Sequence, residues 1–283
     1  MSKNLSAVAS TQFDDMVKHA FQTSGKLRNY VTIRNNIVGD TYKFRAMGKG
    51  LATQRTAPSS DTIPMDIAQS LITCTLTNWD ADEYTDIFDS KEVNFDEVNE
   101  LASTISSALG RRLDQLIIDA CINAGSYAGT VGTEIGGAGT GMNMAKIRKA
   151  KRYLDDQGVP TEGRVMLISA AGLEGLLGET PVTSTDYNSV KALVNGELDT
   201  FVGFKFEVIE TRVEGGLPIT VGLVRDGFAF HRDALGLAIG MDISTKIDWI
   251  AQKKSWLSAG QMKSGAIARD VLGIVKVQST EVA

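Results

Sequence analysis

The sequence predicts an α+β fold, and three observations lead to that class. One long amphipathic helix is predicted over residues 94–124. Runs with β-strand character lie on both sides of it, at 37–79 and at 227–277. Between the long helix and the last run there is a compact helix–strand–helix block, 144–177. Helices and strands that occupy separate segments, rather than alternating strictly, are typical of α+β proteins.

The composition is that of a globular protein with a sizeable core. The chain has 283 residues, of which 43% are hydrophobic and 22% charged, which suffices for one large domain or two modest ones. No stretch approaches about eighteen uninterrupted apolar residues, and the N-terminus lacks the apolar segment of a secretory signal. Cys74 and Cys121 each lie in an apolar run. We therefore expect no membrane partner and two buried free thiols, as in a reducing cytoplasm.

The N-terminal third predicts an extended arm followed by a long hairpin. Residues 12–23 carry apolar side chains on one face and predict a short helix of marginal stability. Residues 37–47 and 70–79 alternate between apolar and polar side chains, which predicts two strands. The segment 48–64 between them is rich in Gly, Pro, Ser and Thr and predicts a flexible tip. Because such a hairpin buries little surface alone, we expect neighbouring copies of the chain to cover it.

The strongest local prediction is the helix over 94–124. Asn94 is a suitable N-cap, and Glu97 three residues later completes a capping-box pattern. Gly110 is expected to mark a bend or a close contact, since glycine inside a helix costs about 1 kcal/mol relative to alanine. Apolar residues recur at three- and four-residue steps, so we expect one stripe to pack on a sheet: Val98, Leu101, Ile105, Leu109, Leu113, Leu116, Ile117 and Ala120.

The rest of the chain predicts shorter elements. A glycine-rich loop, 125–141, leads into a helix that Asn143 caps. The elements predicted after this loop are helix 144–157, the buried strand 164–169, short helices 173–177 and 189–193, strands 203–211 and 218–224, and strand-like runs 228–232, 237–243, 245–250 and 266–277.

Charge is distributed unevenly, although the net charge is only −5. Residues 1–60 hold nine basic side chains against three acidic ones, and residues 80–100 hold nine acidic side chains against one basic. One interpretation is two solvated surfaces; the other is that the basic segment of one copy meets the acidic segment of another, since complementary charge selects partner and register. The predicted contact residues are Arg28, Arg34, Arg45 and Arg55 on the basic side, and Asp82, Glu83 and Asp86 on the acidic side.

No motif predicts catalysis, a cofactor or a metal ion. The loop 136–146 leads into a helix start but lacks the Gly-Lys-Ser/Thr ending of a phosphate-binding loop, so we interpret it as a linker. His231 has no accompanying nucleophile motif and is interpreted as structural. The carboxylates after residue 80 lack the central glycine of a calcium-binding loop. The basic cluster 146–152 follows a helix without the aromatic residues of a nucleic-acid-binding surface.

Four stretches, in this order, resemble the major capsid proteins of tailed phages with the Hong Kong 97 fold. The first is the hairpin, TYKFRAMGKGLA with SLITCTLTNW. The second is the acidic lead-in with the long helix, where ALGRRLDQLIIDA is similar to a stretch of that family's spine helix. The third is AKIRKAKRYLDDQGVPTEGRVMLISAAGLEGLLG, and the fourth runs from FAFHRDALGLAIGMD to GAIARDVLGIVKV. Each motif is weak alone, and their order is more specific.

The resemblance implies the family's architecture. It would comprise an N-terminal arm (1–36), an E-loop (37–79), a P-domain with the spine helix (80–143 and 226–283) and an A-domain (144–225).

The resemblance also implies a structural protein and not an enzyme. Copies would self-assemble as pentamers and hexamers into an icosahedral shell around double-stranded DNA, held without sequence preference. The expected partners are further copies, a portal and a separate scaffolding protein, since only about 36 residues precede the hairpin. The location would be the virion, after assembly in the host cytoplasm. Two alternatives stay open: a nanocompartment shell of the same fold around a cargo protein, and an enzyme that uses the 136–146 loop on a phosphorylated ligand.

Overall fold

The computed structural model describes most of the chain, namely residues 24–55, 57–58, 61–62, 64–87, 97–137, 139–178, 200–212 and 214–281. The short helices predicted at 12–23 and 189–193 lie outside these residues, as does the cap predicted at Asn94.

Within the described residues, three α-helices and thirteen strands confirm the α+β class. The helices are α1 (Glu97–Ile122), α2 (Met144–Asp156) and α3 (Ala170–Leu177). The strands that precede α2 are β1 (Thr32–Arg34), β2 (Thr41–Met47), β3 (Gln69–Thr75), β4 (Thr77–Asp86) and β5 (Gly129–Val131). The strands that follow α2 are β6 (Arg164–Ile168), β7 (Thr200–Phe201), β8 (Phe204–Val208), β9 (Ile219–Thr220), β10 (Val224–His231), β11 (Leu235–Ile250), β12 (Ser255–Ala268) and β13 (Ile274–Thr280).

Two sheets form the body of the subunit, and the hairpin β2–β3 is a separate third one. The first sheet has the order β1-β11-β12-β4, in which β1 is parallel to β11 and the other pairs are antiparallel. The second has the order β5-β13-β10-β6-β8-β7, with β9 paired to β10. The second sheet thus combines strands from both sides of the chain's midpoint, so its pairings join distant parts of the sequence.

Helix α1 packs between the two sheets with the stripe that the sequence predicted. Ile105, Leu109, Leu113 and Ile117 are buried in one cluster that also includes residues of β6, β10, β11 and β12. Leu116 is half-buried, because it lies at the edge of the stripe. At 1.5 Å per residue the helix is about 39 Å long, so it contacts both sheets along its length.

The opposite face of the second sheet has a core of its own. Strand β6 is buried along all five residues, with Val165 and Leu167 in the first cluster and Met166 and Ile168 in the second. This division follows from the alternation of side chains along a strand. Helices α2 and α3 cover the second face, as the periodicity of α2 predicted.

The predicted hairpin is confirmed, but its second strand is shorter than predicted. Strands β2 and β3 pair from Thr41 opposite Thr75 to Met47 opposite Gln69. The predicted strand 70–79 changes sheet at Leu76, which is buried and donates its backbone N–H to Asp40 O at 2.8 Å. The residues that follow belong to β4 and pair with β12. The buried side chain of Leu76 anchors the chain where it passes from the hairpin to the first sheet.

Three predictions about the C-terminal strands were wrong. The run 218–224 is not one strand, since a turn at 221–223, with Gly222 at φ +83°, separates β9 from β10. The run 266–277 is also divided, because the Asp270 carboxylate accepts the Leu272 N–H and starts a 3-10 turn between β12 and β13. Conversely, the two runs predicted within 237–250 form the single long strand β11.

Candidate assembly surfaces

The hairpin β2–β3 has one covered face and one exposed face. Phe44 and Cys74 are buried against the body of the subunit. On the opposite face Arg45 is exposed, Met47 is 69% exposed and Leu71 is 60% exposed. Exposed apolar side chains beside a cation on a two-stranded sheet are typical of a surface that a partner covers.

The segment that precedes β1 and the hairpin is hydrogen-bonded to α1. The backbone N–H groups of Lys26 and Leu27 donate to the carboxylate of Asp114 at 2.9 Å. Asp114 is fully buried, and the Arg212 guanidinium lies 3.7 Å from it. Burial raises the pKa of Asp114, and these donors offset part of the rise. Gly110 belongs to the same junction: a Cβ there would lie 2.8 Å from the nitrogen of Gly25, so the predicted close contact is present.

The four arginines predicted at assembly contacts do not share one environment. Arg28 already has a partner in its own subunit, since it donates two hydrogen bonds to Asp242 at 2.9 and 2.6 Å. Arg34 ends β1 and Arg45 lies on β2, and both are exposed. Arg55 is exposed beyond the hairpin strands, where its Nε donates to the nearby carbonyl of Ala57. The exposed candidates are thus Arg34, Arg45 and Arg55.

The predicted acidic residues lie on β4, the outermost strand of the first sheet. Because side chains alternate along a strand, Asp82 and Asp86 share one face and Glu83 lies on the other. The face of Glu83 is the one on which Trp79 and Ala81 pack toward α1. Asp82 and Glu83 are exposed, and Asp86 is half-buried. The acidic segment therefore presents two surfaces, and the acidic residues at 88–96 lie outside the described residues.

Two ion pairs hold the start of the hairpin and the preceding segment on the first sheet. Hydrogen bonding to Arg28 lowers the pKa of Asp242 and raises that of Arg28. The Lys263 ammonium donates to Asp40 at 2.5 Å and lowers the pKa of that carboxyl. These carboxylates are therefore held in their ionised form at neutral pH.

The glycine-rich loop has its polar groups turned inward. The Asn143 side chain caps α2 by accepting the Lys146 N–H, as predicted. Lys146 is buried, and its ammonium donates to the carbonyls of Thr140 and Gly141 at 2.6 and 2.9 Å. A lysine bound in this way does not reach toward a phosphate outside the loop, so the arrangement fits a structural linker.

His231 is hydrogen-bonded within its own subunit, and both cysteines are buried. The His231 ring lies 2.8 Å from Glu162 O and accepts the Asp233 N–H on its other nitrogen. Cys74 and Cys121 are free and buried, as predicted, and burial raises the pKa of both thiols, that of Cys74 to about 11. In the described ranges, no helix has the length and apolar character of a membrane span, and no group of three or more His, Cys, Asp or Glu is suited to a metal ion.

Sequence reasoning missed Asp114 and Asp242. An acidic residue next to Leu113 in an apolar stripe was the available signal for Asp114. Its partners, however, lie 87 and 88 positions away. Asp242 gave no signal, because it lies within what reads as an ordinary strand.

Sequence comparison gives a family over nearly the whole chain. A model of the family described as phage capsid protein matches residues 5–281. No curated protein matches the chain significantly.

Solved structures from phages have a similar fold along their full length. A chain from Mycobacterium phage Che8 superposes with a TM-score of 0.73 at 17% identity, covering 98% of both chains. The head structure of Helicobacter pylori bacteriophage KHP40 gives a TM-score of 0.78 at 10% identity, again with 98% of both chains covered. The capsid structure of cyanophage P-SCSP1u gives 0.73 at 14% identity, over 100% of this chain and 96% of that one. At such identities the likeness shows a shared fold.

Proposed function

The chain belongs to the phage capsid protein family, and we propose that it is the major capsid protein of a tailed phage, whose copies close into an icosahedral shell around double-stranded DNA. The observation that carries this is the family match over residues 5–281, and the exposed face of β2–β3, on a subunit with cores of its own, supports contacts between copies. Contacts between different surfaces of identical copies generate rings and closed shells when the rotation closes. Pentamers and hexamers are the rings that such a shell requires.

The exposed charges suggest how copies recognise one another. Arg34, Arg45 and Arg55 lie on or near the hairpin, and Asp82 and Asp86 share the outer face of β4. Complementary charge at such a contact fixes the register between copies more than it adds affinity. We therefore place the hairpin of one copy against the face of β4 that carries Asp82 and Asp86 in its neighbour. Glu83 lies on the opposite face of that strand and would not take part in this contact.

The other partners of the chain and the boundaries of its four structural parts stay predictions. They include a separate scaffolding protein, a portal, DNA bound without sequence preference, and assembly in the host cytoplasm before release in the virion. The division into arm 1–36, E-loop 37–79, P-domain 80–143 with 226–283, and A-domain 144–225 is likewise a proposal.

The test is assembly of the full-length protein together with a variant that lacks residues 48–60. The wild type is expected to form closed particles in electron micrographs. The deletion is expected to leave subunits with unchanged circular dichroism that do not form particles, because it removes the tip but neither core. Normal particles from the deletion variant would contradict the role of the hairpin.

The contents of particles purified from the native source separate the two kinds of shell. Double-stranded DNA supports the phage capsid. Particles that hold a cargo protein without a genome would instead identify a nanocompartment shell.

A further inference from the structure

Strand β11 contains two residues more than its partner over a short stretch. Ile239 lies opposite Ser264, Met241 opposite Lys263, and Ser244 opposite Gln261. From the first pair to the last, β11 advances five residues while β12 advances three. Each extra residue makes a β-bulge, which bends the strand and increases its twist. The hairpin β11–β12 therefore has a double bulge at 240–243, which divides it into a near half and a far half.

One segment of the chain, residues 26–40, follows the near half up to this double bulge, and we call it the strap. Its first residues are held by Asp114 on α1. Strand β1 then pairs with β11 from Gly236 to Ala238. The Ile37 N–H donates to Ile239 O at 3.2 Å, directly before the double bulge. The strap thus contacts the last regular pair of the near half.

The strap also contacts the double bulge itself. Arg28 donates to both carboxylate oxygens of Asp242, and one of these oxygens also accepts the Ile243 N–H at 2.9 Å. A Cβ on Gly240 would lie 3.1 Å from Ile37 O, so the strap passes directly over this glycine. Across the ladder, Asp40 pairs with Lys263, the residue opposite Met241. Both strands are therefore held where the register shifts.

A bidentate arginine–carboxylate pair fixes orientation as well as distance. The far half of β11, from 244 to 250, extends about 23 Å at 3.3 Å per residue, so a rotation of about 10° at the double bulge moves its end by about 4 Å. The far half of the sheet includes β4 with Asp82 and Asp86. A small change at the double bulge thus moves a surface proposed to contact other copies.

We propose that the strap sets the bend of the β11–β12 hairpin, with Arg28 as the positioning residue, and so fixes the curvature that each subunit contributes to a shell. The curvature part rests on the proposed function, whereas the bend is a property of the single subunit. The two parts therefore have separate readouts.

The first readout is hydrogen exchange of the backbone amides at 244–260 in the full-length protein. Arg28→Ala is expected to raise their exchange by about two- to fivefold, since exchange reports local opening. Asp242→Asn should reproduce the effect, and the double variant should add little, because both changes remove one interaction. Arg152→Ala is the matched control: it breaks an exposed pair with Asp156 on α2 and should leave 244–260 unchanged. Unchanged exchange in both single variants would overturn the role of the strap.

The second readout is the distribution of particle diameters in electron micrographs. Arg28→Ala and Asp242→Asn are expected to broaden it or to yield open sheets, whereas Arg152→Ala should give the wild-type distribution. Arg28→Lys keeps the charge but not the bidentate geometry, so it should fall between wild type and Arg28→Ala. Faster exchange with uniform wild-type diameters would overturn the curvature part alone. Absence of particles built from this chain in the native source would contradict the proposed function while leaving the exchange result interpretable.

Discussion

A single buried carboxylate joins the N-terminal segment to the long helix. Asp114 lies among the apolar side chains of α1, yet it accepts the N–H groups of Lys26 and Leu27 and faces Arg212. A buried charge is tolerated only when it is paired and hydrogen-bonded. The sequence shows an acid inside an apolar stripe, but a residue pattern does not specify partners from distant segments. Burial of the two cysteines, by contrast, follows from apolar neighbours and was predicted correctly.

The substitution Asp114→Asn is expected to lower the free energy of unfolding by about 3–5 kcal/mol, because it removes one partner of a buried ion pair and turns an amide donor toward other donors. Urea unfolding of the soluble subunit measures the loss. Asp156→Asn, at an exposed pair on α2, is the control and should change the free energy by at most about 1 kcal/mol. A loss at Asp114 no larger than that of the control would mean that the carboxylate is not needed there.

The ion pair between Arg28 and Asp242 predicts that its contribution to the free energy of unfolding is lost at low pH. The hydrogen bond lowers the pKa of Asp242 in the folded state, so its stabilisation is present above the unfolded pKa of about 3.9 and is lost as pH falls through the folded pKa. The free energy of unfolding of Asp242→Asn should therefore lie about 0.2–1 kcal/mol below that of wild type at pH 7. The difference should shrink toward zero as pH falls through the lowered pKa of the folded carboxyl. Urea titrations at several pH values measure it, and a difference that does not change with pH would contradict the ion pair.

At the scale of elements, the long helix was predictable and several strands were not. The helix signal repeats over many turns, so the stripe from Ile105 to Ala120 identifies α1 with a C-terminal end close to the one observed. Alternation over a few residues does not show where a strand changes partner. Leu76 continues the alternating pattern of β3 but anchors the crossing to β4. The double bulge in β11 was also hidden, because an extra residue in a strand looks like ordinary sequence.

The stripe on α1 predicts the cost of shortening its side chains. Leu113→Ala should lower the free energy of unfolding by about 2–5 kcal/mol, because it leaves a cavity between the two sheets. Leu116→Ala is the matched control, since Leu116 is half-buried at the edge of the stripe, and its loss should be clearly smaller. Denaturant unfolding compares the two. Equal losses would mean that the two positions are equally covered.

At the scale of the whole molecule, the cores of the subunit are well buried, whereas two of its surfaces expose side chains that we propose a neighbouring copy covers. Two clusters fill the space around the second sheet, whereas the hairpin face with Arg45 and the outer face of β4 have exposed side chains. The order of elements along the chain was sufficient to indicate the capsid fold, which the family match and the shared fold confirm. The contacts between copies stay a prediction, because an imbalance of charge does not show which surfaces of two copies meet.

The pairing of the hairpin with β4 of a neighbouring copy is tested by a charge reversal. One double variant replaces Arg45 and Arg55 by Glu, and a second replaces Asp82 and Asp86 by Lys. Each should assemble poorly, because like charges then face each other across the contact. The combination should regain part of the assembly, as light scattering and electron micrographs measure, and circular dichroism should confirm that each variant is folded. An exposed pair gives only about 0–1 kcal/mol, but the same contact recurs at every copy.

Higher salt should weaken wild-type assembly too, since charges in water are screened over about 8–10 Å. Glu83→Lys is the internal control: it changes the same strand on its other face and should leave this contact intact. If the combined variant assembles no better than either double variant, the hairpin and β4 do not meet, and the uneven charge serves solubility or contacts with DNA.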